Sequence, residues 1–313
     1  MVTYVNLLIV GLSLGAIYAL IALGYTMVYG IIELINFAHG DIFMVGTFIT
    51  IALMSALGIT ANHPPTAITW LLVGKLALVC VGAFLLCAVL GIVIERIAYR
   101  PLRNAPRLAP LISAIGVSLV LQDSAKLWMG NAQISFPNIP TPVITLGVFE
   151  IDTVDIFVVL AALVLMICLQ ILITRTRMGR AMRAVAQDRE AASLMGINVN
   201  GIIAFTFFIG AGLAGAAGFI YALKFPNTQF TLGFNLGLVA FTCAVLGGIG
   251  DVVGAMVGGF IVGVIQSFIA AIPASVLPHS GNAWQYAIIF ALLILILVFR
   301  PSGLFGQQTP DKV

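Results

Sequence analysis

Long apolar runs, most of them about twenty residues in length, make up the greater part of this sequence. An α-helix needs about twenty residues to cross roughly 30 Å of hydrocarbon, so each run is long enough to span a membrane. Strands of a membrane β-barrel would instead alternate apolar and polar residues over about ten positions, and these runs do not alternate. The sequence therefore predicts an all-α, polytopic transmembrane helical bundle.

Composition supports this fold class. Charged residues make up 8% of the 313 positions, whereas a soluble domain carries about 25% because its surface faces water. We therefore treat residues 1–313 as a single transmembrane domain. We expect eight or nine membrane segments with glycine-interrupted helices, the pair at 234–249 and 254–272 being a hairpin of which one member need not span fully. The segments are predicted at about 5–29, 40–58, 69–95, 108–128, 154–173, 201–223, 234–249, 254–272 and 283–299.

Arginine placement predicts the orientation of these segments, because short cytoplasmic loops are enriched in Arg and Lys. The loops at 59–68, 129–153, 224–233 and 273–282 are poor in arginine and are expected to face outward. This places the N-terminus outside and the C-terminus in the cytoplasm. The basic residues expected at the cytoplasmic side are Arg96, Arg100, Arg103, Arg107, Arg175, Arg177, Arg180, Arg183, Arg189, Arg300 and Lys312.

Two places interrupt the apolar pattern, and they are the candidate pathway or gating elements. The first carries polar groups near a segment end, where a buried charge usually marks a cavity, a pair or an interface. Its Glu33 and Asn36 would share a face if helical, and Asp41 is a candidate cap of the next helix. A structural role and a pathway role both remain open. The residues are Glu33, Asn36, His39 and Asp41.

The second interruption is rich in glycine. Small residues four apart let helices pack closely in lipid, whereas paired glycine-broken segments also mark substrate paths in transporters. Both interpretations stay open for Gly247, Gly248, Gly250 and Asp251. A metal site is not expected near either interruption, since the first contains one histidine and no ligand at i+4.

A charged stretch at about 174–200 stands out from the apolar background. Good helix formers from Arg183 to Met195 predict a helix of about 20 Å, and Gly196 suits the left-handed position that ends a helix. Ala184, Ala191 and Leu194 would lie on one face. This segment is either a solvated loop helix or a helix that docks into a groove on a cytoplasmic protein.

Several kinds of chemistry find no support in the sequence. There is no G-x-x-x-x-G-K-[ST] motif for binding ATP in the P-loop manner, and no Ser/His/Asp or HExxH arrangement for hydrolysis. Polar residues at segment centres are few, which argues against a carrier with its own ion site. We therefore expect a membrane protein that is not an enzyme and binds no cofactor of its own.

Four stretches of the chain resemble the branched-chain (hydrophobic) amino acid permeases of binding-protein-dependent ABC importers, in particular the shorter of the two permease subunits. They occur in the family's order and are spread over most of the chain. The first is Ile35–Asp41, and the second consists of Glu95–Arg103 together with Leu108–Gly116. The third is Arg183–Asn198, and the fourth is Gly247–Ala255.

The resemblance implies a transmembrane permease domain in the bacterial cytoplasmic (inner) membrane, surrounded by lipid. Its expected partners are a second homologous permease, two ATP-binding subunits that hold ATP and Mg, and a periplasmic or lipid-anchored solute-binding protein; nucleic acid is not expected. Other amino acids, short amides or urea remain alternative substrates, and a stand-alone carrier or channel remains an alternative class. The residues implied in coupling to the ATPase are Arg183, Ala184, Gln187, Asp188, Glu190, Ala191 and Gly196.

Overall fold

The computed structural model of the chain describes residues 2–65, 67, 69–103, 105–106, 108–146, 149–276 and 280–306. Two basic residues used above to assign orientation, Arg107 and Lys312, lie outside this range. Within it the chain is mostly helical, which confirms the predicted all-α bundle. The helices are α1 (Val2–Ile32), α2 (His39–Ala56), α3 (Trp70–Ile94), α4 (Leu108–Met129), α5 (Thr153–Arg175), α6 (Arg177–Gln187), α7 (Arg189–Leu194), α8 (Val199–Lys224), α9 (Leu232–Gly247), α10 (Val252–Ala270) and α11 (Gly281–Phe299).

A π-helical turn at Glu95–Tyr99 and a short 3₁₀ turn at Arg100–Leu102 follow α3. Four short strands are described, and they form two separate antiparallel pairs. Strand β1 (Ile134–Ser135) pairs with β4 (Asn227–Thr228), and β2 (Val143–Leu146) pairs with β3 (Phe149–Asp152). These strands belong to the connections between helices and leave the architecture helical.

Eight of the described helices are long and apolar enough to cross a membrane, while α9, with 16 residues, is shorter. This confirms the prediction of eight or nine segments and identifies α9 as the one that is shorter than a full span. The centre of the bundle is formed by α1, α2 and α8, which have the largest buried shares among these eight long helices.

Small residues allow the central helices to touch. A Cβ atom at Gly15 of α1 would lie 2.8 Å from the carbonyl oxygen of Gly259 on α10. On the other side of the core, a Cβ atom at Gly218 of α8 would lie 2.8 Å from the backbone nitrogen of Thr47 on α2. These small residues hold α1 against α10 and α8 against α2.

The two ends of the bundle differ in charge. At the end that we call the charged end, the end of α1 meets α7, the α9–α10 turn meets residues 304–305, and Arg103 meets the start of α8. The opposite end holds the β1–β4 pair and the hydrogen bond from Ser267 to Leu7 near the start of α1. All arginines within the described range belong to the segments of the charged end, so one end of the bundle carries most of the positive charge.

Candidate functional site

The first break in the apolar pattern lies inside the bundle. Helix α1 ends at Ile32, and α2 begins at His39, whose ring occupies the space beside Gly24 of α1, eight residues before the end of that helix. At 1.5 Å per residue, α2 therefore starts about 12 Å inward from the end of α1. The chain turns back into the protein before it resumes a helix.

Helix α9 starts beside the same point. A Cβ atom at Gly40 would lie 2.3 Å from the carbonyl oxygen of Gly233 and 2.7 Å from the Cα atom of Gly237. Gly40 is in the first turn of α2 and Gly233 is in the first turn of α9. The N-termini of two interrupted helices therefore meet within the membrane-spanning part of the bundle, with backbone against backbone.

Asp41 lies at this meeting point and is completely buried. Its Oδ2 atom accepts a hydrogen bond of 2.5 Å from Ser118 Oγ, in the middle of α4, and Gln122 donates to Ser118 at 3.3 Å. Its Oδ1 atom has no hydrogen-bond partner among the described residues and lies against Gly233. The partial positive charge of two helix N-termini stabilises the carboxylate there.

The expected capping role of Asp41 is wrong in detail. Asp41 is the third residue of α2 rather than the residue before it, and the helix start has no side-chain cap. Its side chain instead joins α2 to α4 through Ser118. The sequence did not indicate Ser118 or Gln122, because each lies inside an apolar run and meets Asp41 only through tertiary packing.

His39 and Asn36, which precede Asp41 in the sequence, also make buried contacts. The His39 ring is buried and packs edge-on against Tyr25, with ring centroids 4.9 Å apart. The Asn36 Oδ1 atom accepts hydrogen bonds from the Ala38 backbone N–H at 3.1 Å and from the Tyr99 hydroxyl at 2.9 Å. The loop before α2 is therefore tied to the π-helical turn that follows α3.

Glu33 lies apart from this buried group. It is exposed at the charged end, with a φ of 58°, a left-handed conformation that is unfavourable for a residue with a side chain. Glu33 and Asn36 do not share a helical face, since α1 ends before both residues. Glu33 lines a polar cavity of about 280 Å³ together with Arg103, Asp188 and Arg189.

The second break forms a turn at the charged end, away from the Asp41 group. Gly248 and Gly250 adopt φ values of 108° and 101°, which glycine tolerates, and the Asp251 carboxylate caps α10 by accepting from Gly254 N at 2.6 Å. A Cβ atom at Gly247 would lie 2.0 Å from the Gly254 carbonyl oxygen. The structure thus gives Gly247 and Gly248 a close-packing role at the α9–α10 turn, whereas a Cβ atom at Gly250 would meet nothing within 4 Å.

The charged stretch contains two helices and not the single helix predicted from Arg183 to Met195. Asp188 is extended, with φ and ψ of −157° and 114°, and its carboxylate accepts from the N–H groups of Glu190 and Ala191. Asp188 therefore ends α6 and caps the start of α7, because a short polar side chain competes with helical hydrogen bonding. Gly196 has a φ of 81° and ends α7 as predicted.

Most of the predicted coupling residues lie on the surface. Arg183, Gln187, Asp188, Glu190, Ala191 and Gly196 are exposed, and Ala184 is half-buried. Two apolar side chains beside them are also largely exposed, Leu194 at 89% and Met195 at 82%. Leu194 and Met195 thus form a small apolar tip at the end of α7.

The inner side of the α6–α7 segment is anchored to the bundle. Met182, Val185 and Ala192 are buried. Arg189 donates hydrogen bonds to the carbonyl oxygens of Ile31 at 3.2 Å and Ile32 at 2.8 Å, the last two residues of α1. Carbonyls at a helix end lack partners within the helix, so Arg189 caps α1 and connects it to α7.

A second connection runs through Arg103. Its guanidinium forms an ion pair with buried Glu95 of the π-helical turn and donates to Asn200 Oδ1, near the start of α8, at 2.5 Å. Partial burial lowers the pKa of Arg103, and the negative charge of Glu95 opposes that shift. Both connections reach the 33–38 loop, Arg189 through the end of α1 and Arg103 through the turn that holds Tyr99.

The amino-acid sequence of the chain matches a known protein family. Residues 7–297 match the family model described as the permease component of branched-chain amino acid transport systems. The chain belongs to this permease family. It is 41% identical over 311 residues to the high-affinity branched-chain amino acid transport system permease protein LivH of Escherichia coli K12, covering 97% of this chain and 96% of that protein.

Two further relatives have the same description. The BraD permease protein of Pseudomonas aeruginosa is 40% identical over 318 residues, covering 99% of this chain and 98% of its own. A probable branched-chain amino acid transport permease of Methanocaldococcus jannaschii is 27% identical over 297 residues, covering 92% and 88%. This permease is therefore a multi-pass membrane protein of the predicted family.

Among its described residues, no group of three or more His, Cys, Asp or Glu side chains is arranged to hold a metal ion.

Proposed function

We propose that this permease forms one half of the translocation path of an ABC importer for branched-chain amino acids. A second homologous permease supplies the other half, and two ATPase subunits bind the α6–α7 segment from the cytoplasm. A periplasmic or lipid-anchored protein delivers the substrate. In this proposal the charged end faces the cytoplasm of a bacterial inner membrane, in keeping with the excess of arginine at that end.

The exposed α6–α7 segment is the observation that carries the proposal. Its outer surface presents charged side chains around the exposed Leu194 and Met195, while its inner surface is anchored to α1 by Arg189. A solvated loop helix would not need an apolar tip. In a permease without a P-loop motif of its own, a surface of this kind supports docking by a separate protein that binds ATP and Mg.

The path itself is proposed to open where α2 and α9 begin. Broken helices whose N-termini meet within the membrane form the substrate region of many transporters. Here Gly40 and Gly233 are in direct contact, so the junction is closed in this conformation. Separation of the two helix starts would open a passage beside Asp41 and His39, and we assign these residues, with Asn36, to the gate.

Movement of the coupling segment reaches this gate through the 33–38 loop. When the ATPase subunits close, α7 moves with them, and Arg189 transfers that movement to the last carbonyls of α1. The strained backbone at Glu33 is suited to act as the hinge. The proposed role of Glu33 is therefore mechanical, and that of Gly247, Gly248, Gly250 and Asp251 is to hold the α9–α10 turn.

Reversing a charge on the coupling surface tests the proposal. The Glu190→Arg variant, expressed with the second permease, both ATPase subunits and the binding protein, should lose most ATP-driven leucine uptake because an exposed docking contact becomes repulsive. Glu150→Arg serves as a control for the same charge change in the connection before α5. Normal coupled uptake by Glu190→Arg would overturn the role assigned to α7.

Substrate class is tested with the same complex. Leucine, isoleucine and valine should compete with one another for uptake, because the relatives are described as branched-chain amino acid permeases. Competition by urea or short amides, without competition by valine, would favour the alternative substrates of the family.

A further inference from the structure

Helix α4 differs from the other peripheral helices in what it exposes. The central parts of α3 and α5 expose only apolar side chains and Cys168, as expected of surfaces that face lipid. Helix α4 instead exposes Asp123 and Ser124 within its membrane-spanning length. Within the described chain it packs mainly against α2 and the π-helical turn, so most of its surface is uncovered.

Asp123 lies at the C-terminal end of an apolar series on one side of α4. Ile112, Gly116, Leu119 and Asp123 follow one another at intervals of three or four residues and are all exposed. Residues at this spacing share one side of a helix. Asp123 is six residues before the end of α4 at Met129, which is about 9 Å along the helix axis.

A carboxylate at this depth needs a polar neighbour. Charged side chains within membrane helices almost always face the protein interior or water and pair with another group. No ion pair involves Asp123 among the described residues. Lys126, one turn further along α4, is directed to the Phe230 ring, with its Nζ atom 5.7 Å from the ring centroid.

The start of α9 continues this surface. Phe234 and Asn235 are exposed in the first turn of α9. Gly233 beside them touches Asp41, which is bonded to Ser118 in the middle of α4, so these exposed residues lie deep in the bundle. Phe230, four residues earlier, is the aromatic partner of Lys126 and connects the α9 start to α4.

We propose that this surface, formed by Ile112, Gly116, Leu119, Asp123, Phe234 and Asn235 and here called the α4–α9 face, packs against the second permease subunit. The partner covers the apolar residues and places a polar group or the aqueous path opposite Asp123. A lipid surface would leave the carboxylate in hydrocarbon without a partner. This inference rests on the proposed function, which supplies the second permease as the partner.

Site-specific photocross-linking in the assembled transporter tests the inference. Benzoylphenylalanine is placed at Leu119 on the α4–α9 face or, as a control, at Val164, which is exposed on the apolar surface of α5. After irradiation in membranes, the Leu119 variant should give an adduct that mass spectrometry identifies as the second permease, and the Val164 variant should not. A permease adduct from Val164 alone, or only lipid adducts from Leu119, would overturn the proposal.

Substitution of Asp123 distinguishes a face that is covered by the second permease from a face that is covered by lipid. If the second permease covers this face, Asp123→Leu should reduce co-purification of the two permeases at least fivefold, with Asp123→Asn less affected because its amide keeps a polar group there. If lipid covers it, Asp123→Leu should leave association and uptake unchanged or raise thermal stability, and the inference would be wrong.

Uptake by the unsubstituted complex is measured in the same membranes. This measurement distinguishes a failure of the proposed α4–α9 interface from a failure of the proposed transport function. Loss of cross-linking with normal wild-type uptake contradicts the α4–α9 interface alone. Cross-linking to the second permease without ATP-driven uptake contradicts the proposed transport function and supports the interface.

Discussion

At the scale of single residues, Asp41 shows how a buried charge is accommodated in an apolar protein. One carboxylate oxygen accepts from Ser118, and the other lies at the first turn of α9. Helix N-termini offer unpaired N–H groups and partial positive charge, so they replace part of the hydration that the carboxylate lost on burial. Asp41 therefore connects α2, α4 and α9 at the point where α2 and α9 begin.

Removing the Ser118 hydroxyl should destabilise this arrangement. A hydrogen bond to a charged group is worth about 1.5–3 kcal/mol, against about 0.5–1.5 kcal/mol for a neutral pair. Ser118→Ala should therefore lower the apparent melting temperature of the purified permease more than Ser113→Ala. Ser113 lies on the same helix as Ser118, and its substitution removes a 3.2 Å hydrogen bond to the carbonyl oxygen of Ala98 in the π-helical turn. Equal shifts would argue against a charge-assisted bond at Asp41.

The Gly40 contact gives a second prediction at this scale. Gly40→Ala forces α2 and α9 apart, because its Cβ would overlap the Gly233 carbonyl oxygen. We expect a large loss of transport. Gly74→Ala on α3 is the matched control, since nothing lies within 4 Å of a Cβ there and alanine favours a helix by about 0.5–1 kcal/mol. Wild-type uptake by Gly40→Ala would contradict the closed junction.

At the scale of elements, the α6–α7 segment is attached to the bundle by few polar contacts. Arg189 reaches two carbonyl oxygens of α1, and a cation at a helix C-terminus typically contributes only about 0.3–1 kcal/mol. That magnitude is too small to decide whether the protein folds. The role proposed for Arg189 in transmitting movement rests instead on its position between α7 and the end of α1.

Arg189 variants should therefore separate ATP hydrolysis from transport. Arg189→Ala should assemble normally and retain ATPase activity while losing most leucine uptake, and Arg189→Lys should recover part of it because a single ammonium can reach one carbonyl. Arg180→Ala, which removes the same charge from an exposed position on α6, provides the comparison. Uptake per ATP hydrolysed is the quantity to measure, and an unchanged ratio in Arg189→Ala would exclude this route.

At the scale of the whole molecule, the sequence predicted the helical bundle and its membrane segments. Segment length and hydrophobicity are local properties, so α3, α5 and α11 could be predicted within a few residues. The inward course of residues 33–38 and the meeting of α2 with α9 could not, because they depend on contacts between Gly40 and Gly233, almost two hundred positions apart.

Contacts between residues distant in the sequence could not be predicted within the candidate site either. Asp41 and His39 were found because they are polar in an apolar context, whereas Ser118, Tyr99 and Arg189 have roles that only tertiary packing reveals. The break at Asp188 was not predicted, although an aspartate with a glutamate two residues later is a recognisable helix start. In contrast, Gly247 to Asp251 attracted attention by composition and proved to form a packed turn.

The central claim is that this permease transports substrate only when ATPase subunits act on α6–α7. The direct measurement is uptake of radiolabelled leucine into proteoliposomes that contain either this chain alone, with proton or sodium gradients imposed, or the complete set of subunits with ATP and the binding protein. The account predicts uptake only in the complete, ATP-supplied vesicles. Gradient-driven uptake by this chain alone would contradict it and identify a stand-alone carrier.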